Sequence, residues 1–171
     1  IQIESVDDVV AYNKTLNLSG ADLYEADLSG ANLSKTNLSG ANLSKSNLSG
    51  SNLSGADLSR VELKQTSLLA ANLKEANLTG AQLQGADLRR ANLKGAKISS
   101  ADLTGANLQG ADLSGADLHW ADLTRAHLKG ANLEGANLKK ARTLEGIGLE
   151  GVDLQGADLT RAHLKGANLE G

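Results

Sequence analysis

Few side chains in this 171-residue chain suit acid–base, nucleophilic or metal chemistry, so their spacing is tested first. Histidine titrates near neutral pH and ligates metals, and the chain has three: His119, His127 and His163. No HxxxH, paired-cysteine or acid-cluster spacing accompanies them, so nothing points to a metal or other cofactor. The chain has no cysteine, which removes thiolate chemistry and leaves the redox compartment open. Asp and Asn recur in regular columns as isolated, solvated groups, whereas catalysis needs titratable groups converging in a concave pocket. Trp120, the sole tryptophan, stands where glycine or a charge is usual, with His119 beside it. An exposed ring there is a candidate partner contact. Whether any of these groups meet depends on the elements that carry them.

Those elements are set by a repeat. From Leu18 to Leu138 every fifth residue is leucine except Ile98, which makes 25 pentads; Leu144, Leu149, Leu154, Leu159, Leu164 and Leu169 follow one residue out of phase and bring the total to 31. Two residues before each leucine of the first run sits alanine in 19 of 25 pentads, and Asn or Asp intervenes in 20 of 25. A helix at about 100° per residue would scatter these leucines around its axis. A straight strand would send alternate ones to opposite faces. Both conflicts vanish if Ala-Asn/Asp-Leu is a short extended piece with Ala and Leu inward and the polar residue outward. The remaining two residues then turn a corner. Glycine at the second, as in Gly20, Gly30, Gly40, Gly85 and Gly110, supplies the positive φ of a type II turn.

Four such corners close a square coil of 20 residues. Stacked at the strand spacing of about 4.8 Å, 31 sides make roughly 7.75 coils and a rod about 37 Å long. Leu18, Leu38, Leu58, Leu78, Ile98, Leu118 and Leu138 are expected to stack as one interior column. Each buried large aliphatic contributes about 1.5 to 3 kcal/mol against the ordering entropy, with stability spread along the rod.

The A-[DN]-L-x-x pattern, written out as ADLSG at 111 to 115, resembles the pentapeptide-repeat family, over residues 16 to 171. The near-exclusive leucine resembles cyanobacterial members. The resemblance implies an all-β fold, a right-handed quadrilateral β-helix, and adds the handedness that spacing alone does not give. It also implies a specific rival function, because some members imitate duplex DNA and bind type II topoisomerases such as gyrase.

Outside the repeat, residues 1–15 read as a cap: Ser5 resembles a helix N-cap, with acids in the first turn and Val6, Val9 and Val10 on one side. Residues 16–171 form the β-helix, with a one-residue slip near 141–144. There a literal second register would bury Arg142, so a bulge that turns it outward is expected. ADLTRAHLKGANLEG at 157–171 repeats 121–135 letter for letter, so His163 copies His127. The two fall on different sides of a four-sided coil, and no triad follows. The Asn-Leu-Ser/Thr sequons and the serines at 19, 29, 34, 39, 44, 49, 54 and 59 follow from the repeat and its turn chemistry.

A rod packed with leucine and alanine has no cavity, so an enzyme is not expected. The leading expectation is a non-catalytic scaffold or interaction module with a protein partner, no direct nucleic-acid binding and no membrane span. Duplex mimicry needs a strong negative excess, since DNA carries one charge per about 1.7 Å. Here the net charge is −3 from 17 Lys+Arg and 20 Asp+Glu, with bases interspersed along the chain. A third reading is end-to-end association through the uncovered last coil at Leu169. A cytoplasmic location is expected, with a removed leader left open because the chain starts at Ile1.

Overall fold

The computed structural model describes residues 16–142 and 152–162. The expected cap over 1–15, His163, and the leucines at 144, 149, 164 and 169 lie outside the described residues. Among the described residues there is no helix; each five-residue unit has one bridge residue followed by a two-residue turn.

Each bridge residue pairs in parallel with the residue 20 positions on, as in Asn17 with Asn37, Asp22 with Asn42, Asp27 with Asn47 and Asn32 with Asn52. Twenty residues therefore make one turn of a four-sided coil. The sides are named here by their outward central residues: side 1 runs through 17, 37 and 57, side 2 through 22, 42 and 62, side 3 through 27, 47 and 67, and side 4 through 32, 52 and 72. Past Asp122–Arg142 the offset becomes 21, in Asn132–Asp153 and Asn137–Asp158, so one extra residue lies between 142 and 153. Arg142 itself still occupies a central, exposed position on side 2, while Ala141 before it is buried. Burying alanine and turning the guanidinium to water avoids an unpaired interior charge.

The period of five is explained by where each backbone group goes. Leu18 N–H donates to Asn37 O at 2.7 Å and Gly20 N–H to Ser39 O at 2.9 Å, one coil on; Asn37 N–H donates back to Leu16 O at 3.1 Å. Ala21 N–H closes the corner onto Leu18 O at 3.0 Å. The remaining donor, the first corner N–H, is met by a side chain: Ser19 N–H donates to Asn17 Oδ1 at 3.1 Å. The same bond forms at all 22 described Asn or Asp in this position, for example Asp57 to Ser59 at 3.0 Å and Asn132 to Glu134 at 2.9 Å. A short side-chain oxygen two residues back can reach this N–H, which gives the Asn/Asp preference a structural cause.

Every described corner has positive φ at its second residue. Fourteen are glycines near 64 to 68° and thirteen are not, including Glu25, Lys45, Ala70 and Trp120. Glycine adopts this conformation freely, whereas the other residues sit there at a cost. Inside, Leu18, Leu38, Leu58, Leu78, Ile98, Leu118 and Leu138 are buried in one column with the alanines beside them. Thr36, Ser46, Ser51 and Thr66 take the small inward position instead. Ser46 Oγ donates to Leu43 O at 2.7 Å and Thr66 Oγ1 to the same oxygen at 2.6 Å, while Ser51 Oγ has no partner.

Candidate functional site

The interior is filled, so groups available for recognition lie on the sides and corners. Trp120 stands at the corner between sides 1 and 2 with φ 62° and 51% of its surface exposed. Bulky residues rarely adopt that backbone conformation. Lys140, one coil on in the same column, places Nζ 4.5 Å from the ring centre, within cation–π range. His119 lies beside it, ring centres 5.8 Å apart and tilted 34°, half-buried rather than fully outward. The sequence reading missed Lys140, although a 20-residue coil puts it next to Trp120.

Next to Trp120 is a shallow groove of about 480 Å3 lined by Ser100, Ala101, Asp102, Trp120, Asp122 and Arg142. Asp102 and Asp122 are adjacent rungs of side 2, and Arg142 is the next. Burial would raise the Asp102 carboxyl, but donation from Thr104 (its backbone N–H at 3.0 Å), from Gln84 Nε2 at 2.6 Å and the charge of Lys64 together hold it below the ordinary value. Asp122 accepts from Thr124 N–H at 3.0 Å and from the Thr124 hydroxyl.

Two other corners carry exposed apolar groups. Tyr24, 45% exposed, sits 5.2 Å from Lys45 Nζ, which also pairs with Glu25 at 3.7 Å. Leu69 lies in a groove of about 530 Å3 with Arg89, Arg90, Gln109, Gly110 and Lys129. His127 is exposed on side 3, away from His119. Among the described residues no three His, Cys, Asp or Glu converge as metal ligands, and no helix is long and apolar enough to cross a membrane.

Charge follows the repeat rather than clustering. Acids occupy the centres of sides, with Glu25, Glu75 and Glu134 the exceptions; bases occupy corners, with Lys97 and Arg142 the exceptions. The corner N–H needs a carboxylate or amide oxygen two residues before it, which keeps lysine and arginine off most centres. Acids are densest on side 2, at Asp22, Glu62, Asp102 and Asp122, while side 4 is mostly asparagine with Asp112 and Asp153.

These features define a class: a parallel β-solenoid with four sides of five residues, a solid aliphatic interior and an exposed aromatic corner. Pentapeptide repeats match the chain at residues 17–55, 56–95, 71–110, 101–139 and 143–171. HetL, a pentapeptide repeat protein involved in heterocyst differentiation regulation from the cyanobacterium Nostoc sp. strain PCC 7120, is 34% identical, over 99% of this chain and 95% of that one, with a TM-score of 0.37. The pentapeptide repeat protein alr5209 from Nostoc PCC 7120 is 35% identical, over 63% of this chain and 84% of that one, TM-score 0.48. QnrB1, a plasmid-mediated fluoroquinolone resistance protein, is 22% identical, over 87% of this chain and 79% of that one, TM-score 0.55, and shares the fold. Among curated proteins, none matches. The chain belongs to the pentapeptide-repeat family, whose members fold as right-handed quadrilateral β-helices.

Proposed function

We propose that the chain is a non-catalytic β-helical scaffold that engages a protein partner through the Trp120 corner. The observation that carries this reading is Trp120 itself: a half-exposed ring at a strained corner where glycine would cost less, in a molecule with a solid interior. His119 buttresses the ring and Lys140 covers part of it.

Charge layout supports this over duplex mimicry. The 14 acids and 15 bases among the described residues nearly balance, with most acids on sides and most bases at the adjoining corners. Neighbouring sides and corners lie within about one Debye length, so the fields of their opposite charges largely cancel beyond the surface. Gyrase supercoiling is accordingly expected to proceed unchanged in the presence of this protein, and salt-sensitive inhibition would favour the mimic instead.

The direct experiment is photo-crosslinking from a reactive phenylalanine analogue at position 120 in an extract of the source cells. A discrete adduct, competed by the unmodified protein and poorly by the Trp120→Gly variant, is expected. Adducts no different from those of a probe at Asn72 would overturn the assignment.

A further inference from the structure

On side 2, Asp122 and Arg142 hold adjacent rungs; on the corner beside it, Trp120 and Lys140 do the same. Each column thus carries a group and its electrostatic complement one rung apart: carboxylate and guanidinium, aromatic face and ammonium. Asp122 and Arg142 form no salt bridge with each other, and Lys140 leaves half of the Trp120 surface exposed. At the Tyr24 corner Lys45 likewise lies over the ring but also pairs with Glu25, whereas Lys140, over one face of Trp120, pairs with no acid among the described residues.

From this arrangement we infer that side 2 and the Trp120 corner form a self-complementary surface for a second copy of this chain, laid alongside and antiparallel. When a two-fold axis crosses two rods at right angles, each column meets its own copy reversed. With the axis midway between the rungs of 122 and 142, Asp122 meets Arg142 of the second copy and Trp120 meets Lys140 of the second copy. Symmetry repeats both contacts. Ser100 then meets Arg161 of the second copy, so no like charges oppose along the described corner column. Sliding one copy by a single rung sets Asp122 against itself or Arg142 against itself. A parallel pair keeps residues at equal levels and brings Lys140 toward Arg142. The groove of about 480 Å3 beside Trp120 has room for the incoming lysine. The pairing rests on the scaffold reading and deepens it, naming a second copy of this chain as the protein that the Trp120 corner takes.

Sedimentation velocity of the full chain over a wide concentration range tests it. At low salt the mass is expected to rise from 17.6 kDa toward twice that value, with salt weakening the association. Emission from the single tryptophan should shift to shorter wavelength with the same concentration midpoint. Two variants preserve the fold: Asp122→Asn keeps an oxygen for the Thr124 N–H, and Trp120→Gly suits the corner. Trp120→Gly should raise the dimer Kd at least about tenfold, and Asp122→Asn should reduce its salt dependence. A constant monomer mass, or a dimer indifferent to both substitutions, would overturn the inference while leaving the scaffold reading intact.

Discussion

Residues 16–59 and 60–142 build the same coil with opposite imperfections. In the first segment the exterior is complete: every central residue from Asn17 to Asp57 is Asn or Asp and meets its corner N–H, and amide ladders such as Asn52 Nδ2 to Asn32 Oδ1 at 3.3 Å tie coil to coil. Its interior is not complete, since Thr36, Ser46 and Ser51 stand where alanine usually packs. In the second segment the small inward position is alanine without interruption from Ala71 to Ala141. There the exterior has gaps: Glu62, Ser67, Gln82, Lys97 and His127 replace Asn or Asp, and Ala70 and Trp120 hold strained corners. The leucine column and the left-handed corner are common to both, so they define the fold. Interior alanine and exterior Asn/Asp are separate stabilising devices; the first segment has the exterior one without a gap, the second the interior one from Ala71 onward.

Removing the common element should have the largest effect and erase the contrast. Leu53→Ala and Leu103→Ala should each cost about 2 to 5 kcal/mol by denaturant unfolding, with similar losses in the two segments. The exterior device comes next. Asn52→Ala removes an acceptor for Ser54 N–H and Ser54 Oγ and a rung of the ladder to Asn72, and should cost about 1 to 2 kcal/mol. Lys97→Asn, which restores an acceptor near Ser99 N–H, should gain about 0.5 to 1 kcal/mol. Ser51→Ala tests the interior device: it deletes a buried hydroxyl without a partner and should stabilise the first segment by roughly 1 kcal/mol.

Acid sharpens the comparison with the smallest expected effect. Asp87, through the Arg89 side chain, and Asp102, through its Thr104 and Gln84 bonds, are held below the ordinary carboxylate value of 3.8. A lowered folded value contributes stability above the unfolded pKa, and this is lost as pH falls through the folded one. Stability of the second segment should therefore begin to decline near pH 4 and fall further below it. The first segment, richer in asparagine, should change less, although Asp27 is lowered by Ser29 in the same way. Melting at pH 5 and pH 3, followed by residue-resolved exchange, checks this.

Much of this architecture was legible in the residue order. Leucine every fifth position excludes helix and straight strand, and a glycine-rich pair after it requires a corner. Arg142 does face outward, as the cost of an interior charge requires, but by keeping the first register rather than through the bulge expected there. The thirteen non-glycine corners were not legible, because tying positive φ to glycine hides positions where Lys45 or Trp120 is forced into the same conformation by the coils above and below. The placement of charge was hidden for a related reason: bases interspersed along the chain come to lie mostly at corners once five-residue sides stack. The Trp120 corner was visible as an oddity, but its groove with Asp102 and Asp122 appears only when residues 20 apart become neighbours.

The central claim is that the coil is unbroken in both segments while the exterior bond is interrupted in the second, and amide hydrogen exchange resolved by residue tests it most directly. Leu63, Leu68 and Leu83 N–H, which donate to the next coil, should be as protected as Leu33 and Leu53. The first-corner N–H groups of Ser54 and Ser59 should be protected, whereas those of Lys64, Leu69, Gln84 and Ser99, with no acceptor among the described residues, should exchange far faster. Equal protection at both sets of corners would contradict the account.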